Sequence, residues 1–144
     1  MPDLIFVYGT LKQGHCNQHV NQARRVPGEF ETVEPHPFYI IGAQHLPWLL
    51  PRPGEGQPVR GELYEADEAA LARMDVLEQV DEPGWYERRL VSVRLAGEPT
   101  AQALQAWVYF GSEAGFSRHP VRHGPIAEYT HEIAGRYPLN EYRP

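Results

Sequence analysis

The segment Leu4-Ile5-Phe6-Val7-Tyr8 joins five apolar or aromatic residues in a row, and Gly9-Thr10 follows it directly. A short run of this composition that stops at a glycine is typical of a buried strand followed by a tight turn. The sequence therefore predicts a first strand in the core of the domain, with a glycine turn at its end.

Further strands can be predicted on the C-terminal side of this segment. Apolar and alternating patterns indicate five of them, over residues 29–33, 38–41, 59–65, 86–95 and 101–110. Proline and glycine recur throughout the segment 43–58, which is expected to form a long irregular loop anchored by Pro47-Trp48-Leu49-Leu50.

Two helices are also predicted. Asp67 is a good N-cap for the first helix. Its apolar stripe consists of Ala70, Leu71, Met74 and Leu77. The second helix is expected over residues 125–134, because Pro125 suits a first helical position and Gly135 suits the position after a helix end. Because the strands dominate and lie close in sequence, we predict an α+β fold, a small mixed or antiparallel β-barrel with flanking helices.

Length, charge and cysteine content restrict the class of protein. The 144 residues suit one domain over residues 1–144. Thirteen basic residues against nineteen acidic ones give a net charge of −6, which disfavours nucleic acid as a partner. The run Leu4 to Tyr8 is far shorter than a membrane span, and the single cysteine, Cys16, favours a reducing compartment. A cytoplasmic protein that binds neither nucleic acid nor a membrane is expected.

Glu78 is the first candidate for a chemical role. It follows Leu71 by seven positions and Met74 by four, which places it on the apolar stripe of the first helix. Partial burial and the negative end of the helix dipole would both raise the pKa of this carboxyl toward the range useful to a general base. The alternative is that the helix frays before Glu78 and the carboxylate reaches water. Judged on position alone, this alternative is the commoner outcome.

The turn Tyr8-Gly9-Thr10-Leu11, followed by Lys12, is the second candidate. A glycine turn that leaves a buried strand can direct successive backbone N–H groups at a carboxylate or an oxyanion. A plain turn is the commoner outcome of such a motif. The spacing of a nucleotide-binding P-loop is absent.

Other reactive side chains carry weaker signals. The histidine pairs His15–His19 and His119–His123 have a spacing that could hold zinc on a helix, but both pairs lie in stretches with little helix propensity. Solvated loop histidines are therefore expected. Ser112 stands one position too early for a G-x-S-x-G nucleophile elbow.

Several motifs together resemble a known family. Four of them match the gamma-glutamylcyclotransferase superfamily in order and spacing: FVYGTLK (6–12), GELY (61–64), MDVLE (74–78) and Tyr86-x-Arg88. Two further segments resemble the gamma-glutamylamine cyclotransferases more narrowly: EPHP (34–37) and GAQHLPWLL (42–50), with Pro53-Gly54 after it. This resemblance extends from residue 4 to about residue 110.

The resemblance implies a small β-barrel with flanking helices. It also implies an enzyme that closes the glutamyl part of a gamma-glutamyl compound into 5-oxoproline and releases an amine. Glu78 is then the catalytic acid/base, and Tyr8, Gly9, Thr10 and Leu11 bind the substrate. No metal or organic cofactor is implied, since the α-amine of the substrate supplies the nucleophile.

Two questions of function stay open at the level of sequence. The amine-specific resemblance and the apolar segment 47–50 favour gamma-glutamyl amines, such as gamma-glutamyl-ε-lysine, over gamma-glutamyl amino acids or glutathione. An amino-acid leaving group would favour a cation beside it, and the candidates Arg52 and Arg60 flank a proline-rich loop. The second alternative is a non-catalytic module that captures a small amine in the same pocket.

Overall fold

A computed structural model describes residues 3–15, 23–78, 80 and 84–138. The strands in this part of the chain are β1 (Asp3–Val7), β2 (Arg24–Thr32), β3 (Phe38–Ile41), β4 (Leu46–Leu49), β5 (Arg60–Ala66), β6 (Tyr86–Leu95), β7 (Leu104–Gly111) and β8 (Val121–His123). The helices are α1 (Glu68–Leu77), α2 (Glu113–Arg118) and α3 (His131–Arg136).

Five strands close into a barrel in the order β1-β5-β2-β6-β7. β1 pairs antiparallel with β5 over its full length, and a parallel contact with β7, where Ile5 lies opposite Trp107, closes the ring. The consecutive residues Ile5, Phe6 and Val7 are all buried, so β1 is covered on both faces. The predicted α+β fold with a small mixed barrel and flanking helices is confirmed.

A second sheet, in the order β4-β3-β8, corrects the prediction of one irregular loop over residues 43–58. β3 and β4 form a hairpin in which Phe38 lies opposite Leu49 and Ile41 lies opposite Leu46. Pro47 argued against a strand here, because proline has no N–H to donate to a ladder. β4 is an edge strand of this sheet, and an edge strand tolerates that loss.

Helix α1 begins as predicted. The Asp67 side chain accepts a hydrogen bond from the Ala70 N–H at 2.8 Å. Ala70, Leu71 and Met74 are buried in a core cluster that α1 shares with β1 and β5. The helix ends at Leu77.

None of the helices in the described part of the chain has the length and apolar character of a membrane span.

The C-terminal helix was predicted with the wrong bounds. It spans His131–Arg136 instead of residues 125–134, so Gly135 lies inside it and Pro125 lies before it. Its N-cap is Thr130, whose hydroxyl accepts from the Ile133 N–H at 3.1 Å. The strand boundaries also differ, because β2 begins five residues earlier than predicted and β7 three residues later.

Trp48 of β4 packs closely against Gly111 of β7 and so joins the two sheets. The Trp48 side chain is fully buried, and its Nε1 donates to the Ser112 carbonyl at 3.0 Å. A Cβ atom added at Gly111 would lie 2.3 Å from atoms of the Trp48 ring. Only a residue without a side chain therefore fits at this position.

Gly111→Ala is expected to lower the free energy of unfolding by about 1–3 kcal/mol, because overpacking a core forces its neighbours to shift. Urea unfolding measures the difference. Gly135→Ala is the matched control, since a Cβ at this helical glycine meets no atom within 4 Å. Equal stability of the two variants would contradict the packing of Trp48 against Gly111.

Candidate active site

A pocket at the end of β1 brings together residues from distant parts of the chain. Its lining consists of Phe6, Val7, Tyr8, Gly9, Thr10, Leu11, Pro47, Glu78, Tyr86 and Tyr109. The turn after β1, the end of α1, the β3–β4 hairpin, β6 and β7 each contribute to it. All five residues predicted as site residues, Tyr8 to Leu11 and Glu78, lie in this lining.

Glu78 supplies the carboxylate of this lining. It is the C-cap residue of α1, and its backbone N–H donates to the Met74 carbonyl at 2.9 Å. Glu78 is 8% exposed. The burial expected from the apolar stripe is confirmed, and the alternative in which Glu78 is freely solvated is wrong.

Two tyrosines next to Glu78 act as uncharged groups. The Tyr8 hydroxyl donates to the Tyr109 carbonyl. Burial raises the pKa of Tyr8 well above its ordinary value, and the negative charge of Glu78 raises it further. Burial also raises the pKa of Tyr109, together with its hydrogen bond to Asp75 and the charges of Asp75 and Glu78. Both hydroxyls are therefore protonated at neutral pH and cannot serve as anions.

A polar network joins the end of α1 to the barrel. Asp75, three residues before Glu78, accepts from the Tyr109 hydroxyl at 2.6 Å and from Arg88 Nε and Nη2 at 3.0 and 3.1 Å. The Arg88 guanidinium also lies 4.4 Å from the centre of the Trp107 ring. Arg88 belongs to β6 and Tyr109 belongs to β7. Their bonds to Asp75 therefore hold the end of α1, which carries Glu78, against the barrel.

Another hydrogen bond positions the β3–β4 hairpin at the pocket. The Tyr86 hydroxyl donates to the Pro47 carbonyl at 2.5 Å, and the Tyr86 ring packs 4.6 Å from that of Trp48. Trp48 and the two leucines after it are fully buried. The prediction that residues 47–50 present an apolar surface is wrong for Trp48, Leu49 and Leu50. Of the four residues, Pro47 alone lines the described pocket.

The two residues that follow Leu11 are anchored to other parts of the chain. Lys12 is buried, and its Nζ donates to the Tyr129 carbonyl at 2.6 Å. Burial lowers the pKa of this lysine. The Gln13 N–H donates to a carboxylate oxygen of Glu62 at 2.8 Å. These contacts fix the backbone that follows the turn, and Lys12 itself is not part of the pocket lining.

The weaker candidates lie elsewhere. Ser112 is the N-cap of α2, where its hydroxyl accepts from the Gly115 N–H at 2.9 Å. His119 ends α2 and His123 lies on β8, so this pair is not on one helix; His19 and Cys16 lie outside the described residues. Within residues 3–15, 23–78, 80 and 84–138, no group of three or more His, Cys, Asp or Glu residues could hold a metal ion.

Tyr86 and Tyr109 line the pocket but were not among the predicted site residues. The pairing of β6 with β7, whose residues lie far apart in the chain, brings both of them to it. Asp75 and Arg88 stand in two motifs of the family resemblance. An ion pair between them could have been predicted from their opposite charges.

The fold is a small closed barrel, and its YGTL turn shares a pocket with the buried Glu78. These two features together define the class of this protein. Residues 5–131 match the family model "Gamma-glutamyl cyclotransferase, AIG2-like". The chain belongs to this family.

Individual relatives show a narrower similarity. The chain is 40% identical over 121 residues to a protein of Homo sapiens named "Gamma-glutamylaminecyclotransferase", covering 74% of this chain and 76% of that protein. Identity to the protein of the same name in Rattus norvegicus is 41% over 115 residues, covering 73% and 75%. The crystal structure of an AIG2-like protein from Mus musculus superposes with a TM-score of 0.79 at 33% identity, covering 99% of each chain.

Asp75→Asn is expected to lower the free energy of unfolding by about 1–3 kcal/mol, because two charge-assisted hydrogen bonds from Arg88 lose their charged acceptor. Thermal or urea unfolding measures this loss. Glu68→Gln, an exposed substitution in the first turn of the same helix, should cost less than about 1 kcal/mol, because it loses only a favourable charge at the helix N-terminus. An Asp75→Asn variant as stable as this control would show that the network does not hold α1.

Proposed function

We propose that this chain is a gamma-glutamylamine cyclotransferase, which releases a free amine and 5-oxoproline from gamma-glutamyl amines such as gamma-glutamyl-ε-lysine. The observation that carries the proposal is the buried Glu78 carboxylate in the same pocket as the Tyr8 to Leu11 turn. Membership of the family and the names of the two mammalian relatives support the reaction class.

Glu78 moves the proton in this reaction. The α-amine of the substrate attacks its own γ-carbonyl carbon, so a C–N bond forms and closes a five-membered ring. The bond from the same carbon to the leaving nitrogen then breaks. The α-amine must lose a proton and the leaving nitrogen must gain one, and a single carboxylate between them accepts and returns that proton. The reaction needs no nucleophile from the protein.

The Tyr8 to Leu11 turn binds the charged end of the substrate in this proposal. Its backbone N–H groups are donors of the type that stabilise a carboxylate or a developing oxyanion. The turn follows a strand buried on both faces and precedes the anchored residues Lys12 and Gln13. A donor group held in this way needs little rearrangement when charge develops.

The charges around the pocket favour an amine as the leaving group. The described lining contains no lysine, arginine or histidine, while Glu78 would repel the carboxylate of a leaving amino acid. Arg52 is paired with Glu113 at 2.7 Å, and neither Arg52 nor Arg60 lines the pocket. The pocket encloses about 30 Å³, so we place only the reacting centre inside it and the leaving amine towards its mouth.

The proposal includes a cytoplasmic location and a small-molecule partner. The single cysteine suits a reducing compartment, and the net charge of −6 is unsuited to nucleic acid. We propose no metal or organic cofactor, because the substrate supplies its own nucleophile.

Glu78→Gln is expected to keep the fold and to lower turnover about a hundredfold to ten thousandfold, the usual contribution of a positioned acid/base. Release of 5-oxoproline from gamma-glutamyl-ε-lysine measures it. Glu98→Gln, the same substitution at an exposed residue of the β6–β7 turn, should retain full activity. A rate for Glu78→Gln close to that of Glu98→Gln would remove Glu78 from the mechanism.

The substrate preference can be tested separately. We expect a higher kcat/KM for gamma-glutamyl-ε-lysine than for gamma-glutamyl-α-alanine, because the alanine compound places a carboxylate beside the scissile bond. Both assays follow 5-oxoproline under the same conditions. A clear preference for the alanine compound would defeat the amine specificity and leave the cyclotransferase reaction in place.

A further inference from the structure

A second carboxylate stands close to Glu78. Asp75 lies in the last turn of α1, and Glu78, the C-cap residue, still has helical dihedral angles of φ −81° and ψ −2°. Residues at i and i+3 of a helix are neighbours on one face. Two neighbouring carboxylates oppose each other's ionisation, because a like charge disfavours the charged form. Asp75 alone would therefore favour the protonated form of the buried Glu78.

The Tyr109 side chain connects the two carboxylates. Its hydroxyl donates to Asp75 at 2.6 Å, and the same residue lines the pocket with Glu78. Burial raises the pKa of Tyr109 most, and the hydrogen bond to Asp75 and the charges of Asp75 and Glu78 raise it further, while the charge of Arg88 lowers it. One hydroxyl at the pocket is thus within the electrostatic reach of all three charged groups.

Arg88 balances the charge of Asp75. Its Nε and Nη2 donate to the two carboxylate oxygens of Asp75 at 3.0 and 3.1 Å, and its guanidinium lies over the Trp107 ring. The side chains of Arg88 and Asp75 are 24% and 23% exposed, so water screens their interaction only in part. A carboxylate paired in this bidentate way presents little net charge to a neighbour such as Glu78.

Other charged side chains on the elements around the pocket are engaged elsewhere or exposed. Within the described residues, the pocket is lined by no charged side chain except Glu78, and its other ionisable groups are the hydroxyls of Tyr8, Tyr86 and Tyr109. The charged residues behind this lining include Lys12, bonded to the Tyr129 carbonyl, Glu62, paired with Arg25, Glu87, paired with Arg89, and the exposed Arg73.

We propose that Asp75 and Arg88 are positioning residues that keep Glu78 able to accept a proton: Asp75 ties the helix end to the barrel, and Arg88 cancels the charge that Asp75 would otherwise place beside Glu78. This inference rests on the proposed function of Glu78 as the acid/base. The base must be ionised before the α-amine of the substrate can give up its proton. An uncompensated Asp75 would therefore slow the reaction at neutral pH, because more of Glu78 would be protonated.

The first test is a titration of Glu78 itself in the protein without substrate. Carbon-13 NMR of the side-chain carboxyl groups follows it, and the resonance that is missing from Glu78→Gln identifies it. Asp75→Asn removes a negative charge and leaves Arg88 uncompensated, so the pKa of Glu78 should fall by about one unit. Arg88→Gln leaves Asp75 uncompensated, so the pKa of Glu78 should rise by about one unit.

Two further variants are the matched controls. Arg88→Lys keeps a positive charge beside Asp75 and should leave the pKa of Glu78 close to that in the unsubstituted protein. Glu98→Gln makes the same change in net charge as Asp75→Asn at an exposed turn and should not move this pKa.

A merely structural role for the ion pair gives a different pattern. Loosening of the helix end would admit water to Glu78 and lower its pKa in both Asp75→Asn and Arg88→Gln. Shifts in the same direction in these two variants, or no shift in either, would overturn the proposal. Where Asp75→Asn does not fold, the comparison of Arg88→Gln with Arg88→Lys decides, because both lose the bidentate contact and only one loses the charge.

The second test is the pH dependence of kcat for release of 5-oxoproline from gamma-glutamyl-ε-lysine. The acidic limb of this profile reports the ionisation of the base in the enzyme–substrate complex. It should move to lower pH in Asp75→Asn and to higher pH in Arg88→Gln, in step with the NMR titration. A limb that stays in place while the titration of Glu78 moves would contradict Glu78 as the acid/base and would leave the effect of the ion pair on Glu78 established.

Discussion

The position of β1 constrains the rest of the structure. This strand is buried on both faces, pairs with β5 along its length and closes the barrel against β7. Gly61 permits the close approach of β5, because a Cβ atom there would lie 2.4 Å from the Val7 carbonyl oxygen and 2.7 Å from Phe6 Cζ. A strand held on all sides cannot shift, so the Tyr8 to Leu11 turn that follows it has a fixed place beside the pocket.

The second constraint is the end of α1. Burial of a carboxylate is unfavourable, and Glu78 is held at the pocket because Asp75 ties the same helix turn to Arg88 and Tyr109. The tyrosines beside it are protonated. In our proposal Glu78 is therefore the group that carries the proton. This arrangement suits a reaction in which the substrate supplies both nucleophile and electrophile. In our proposal the protein contributes Glu78 as a fixed acid/base and the Tyr8 to Leu11 turn, which binds the charged end of the substrate.

Predictions from sequence succeeded where local signals decide the structure. The run before Gly9 specified β1, and the Asp67 cap with its apolar stripe specified α1 and placed Glu78 on the buried side. They failed where the decisive contact is distant in sequence or the element is short. β4 contains a proline and exists because β3 pairs with it, and α2 and α3 have six residues each and depend on the caps Ser112 and Thr130. Periodicity over so few residues is too weak to predict a helix.

In the proposed reaction the α-amine of the substrate, and not water, attacks the γ-carbonyl. Its most direct test is mass spectrometry of the products that the enzyme forms from gamma-glutamyl-ε-lysine in water enriched in heavy oxygen. The proposed mechanism predicts unlabelled 5-oxoproline and an equal amount of free lysine, since no oxygen from water enters the product. Glutamate carrying heavy oxygen would show hydrolysis by a water molecule and would contradict the mechanism.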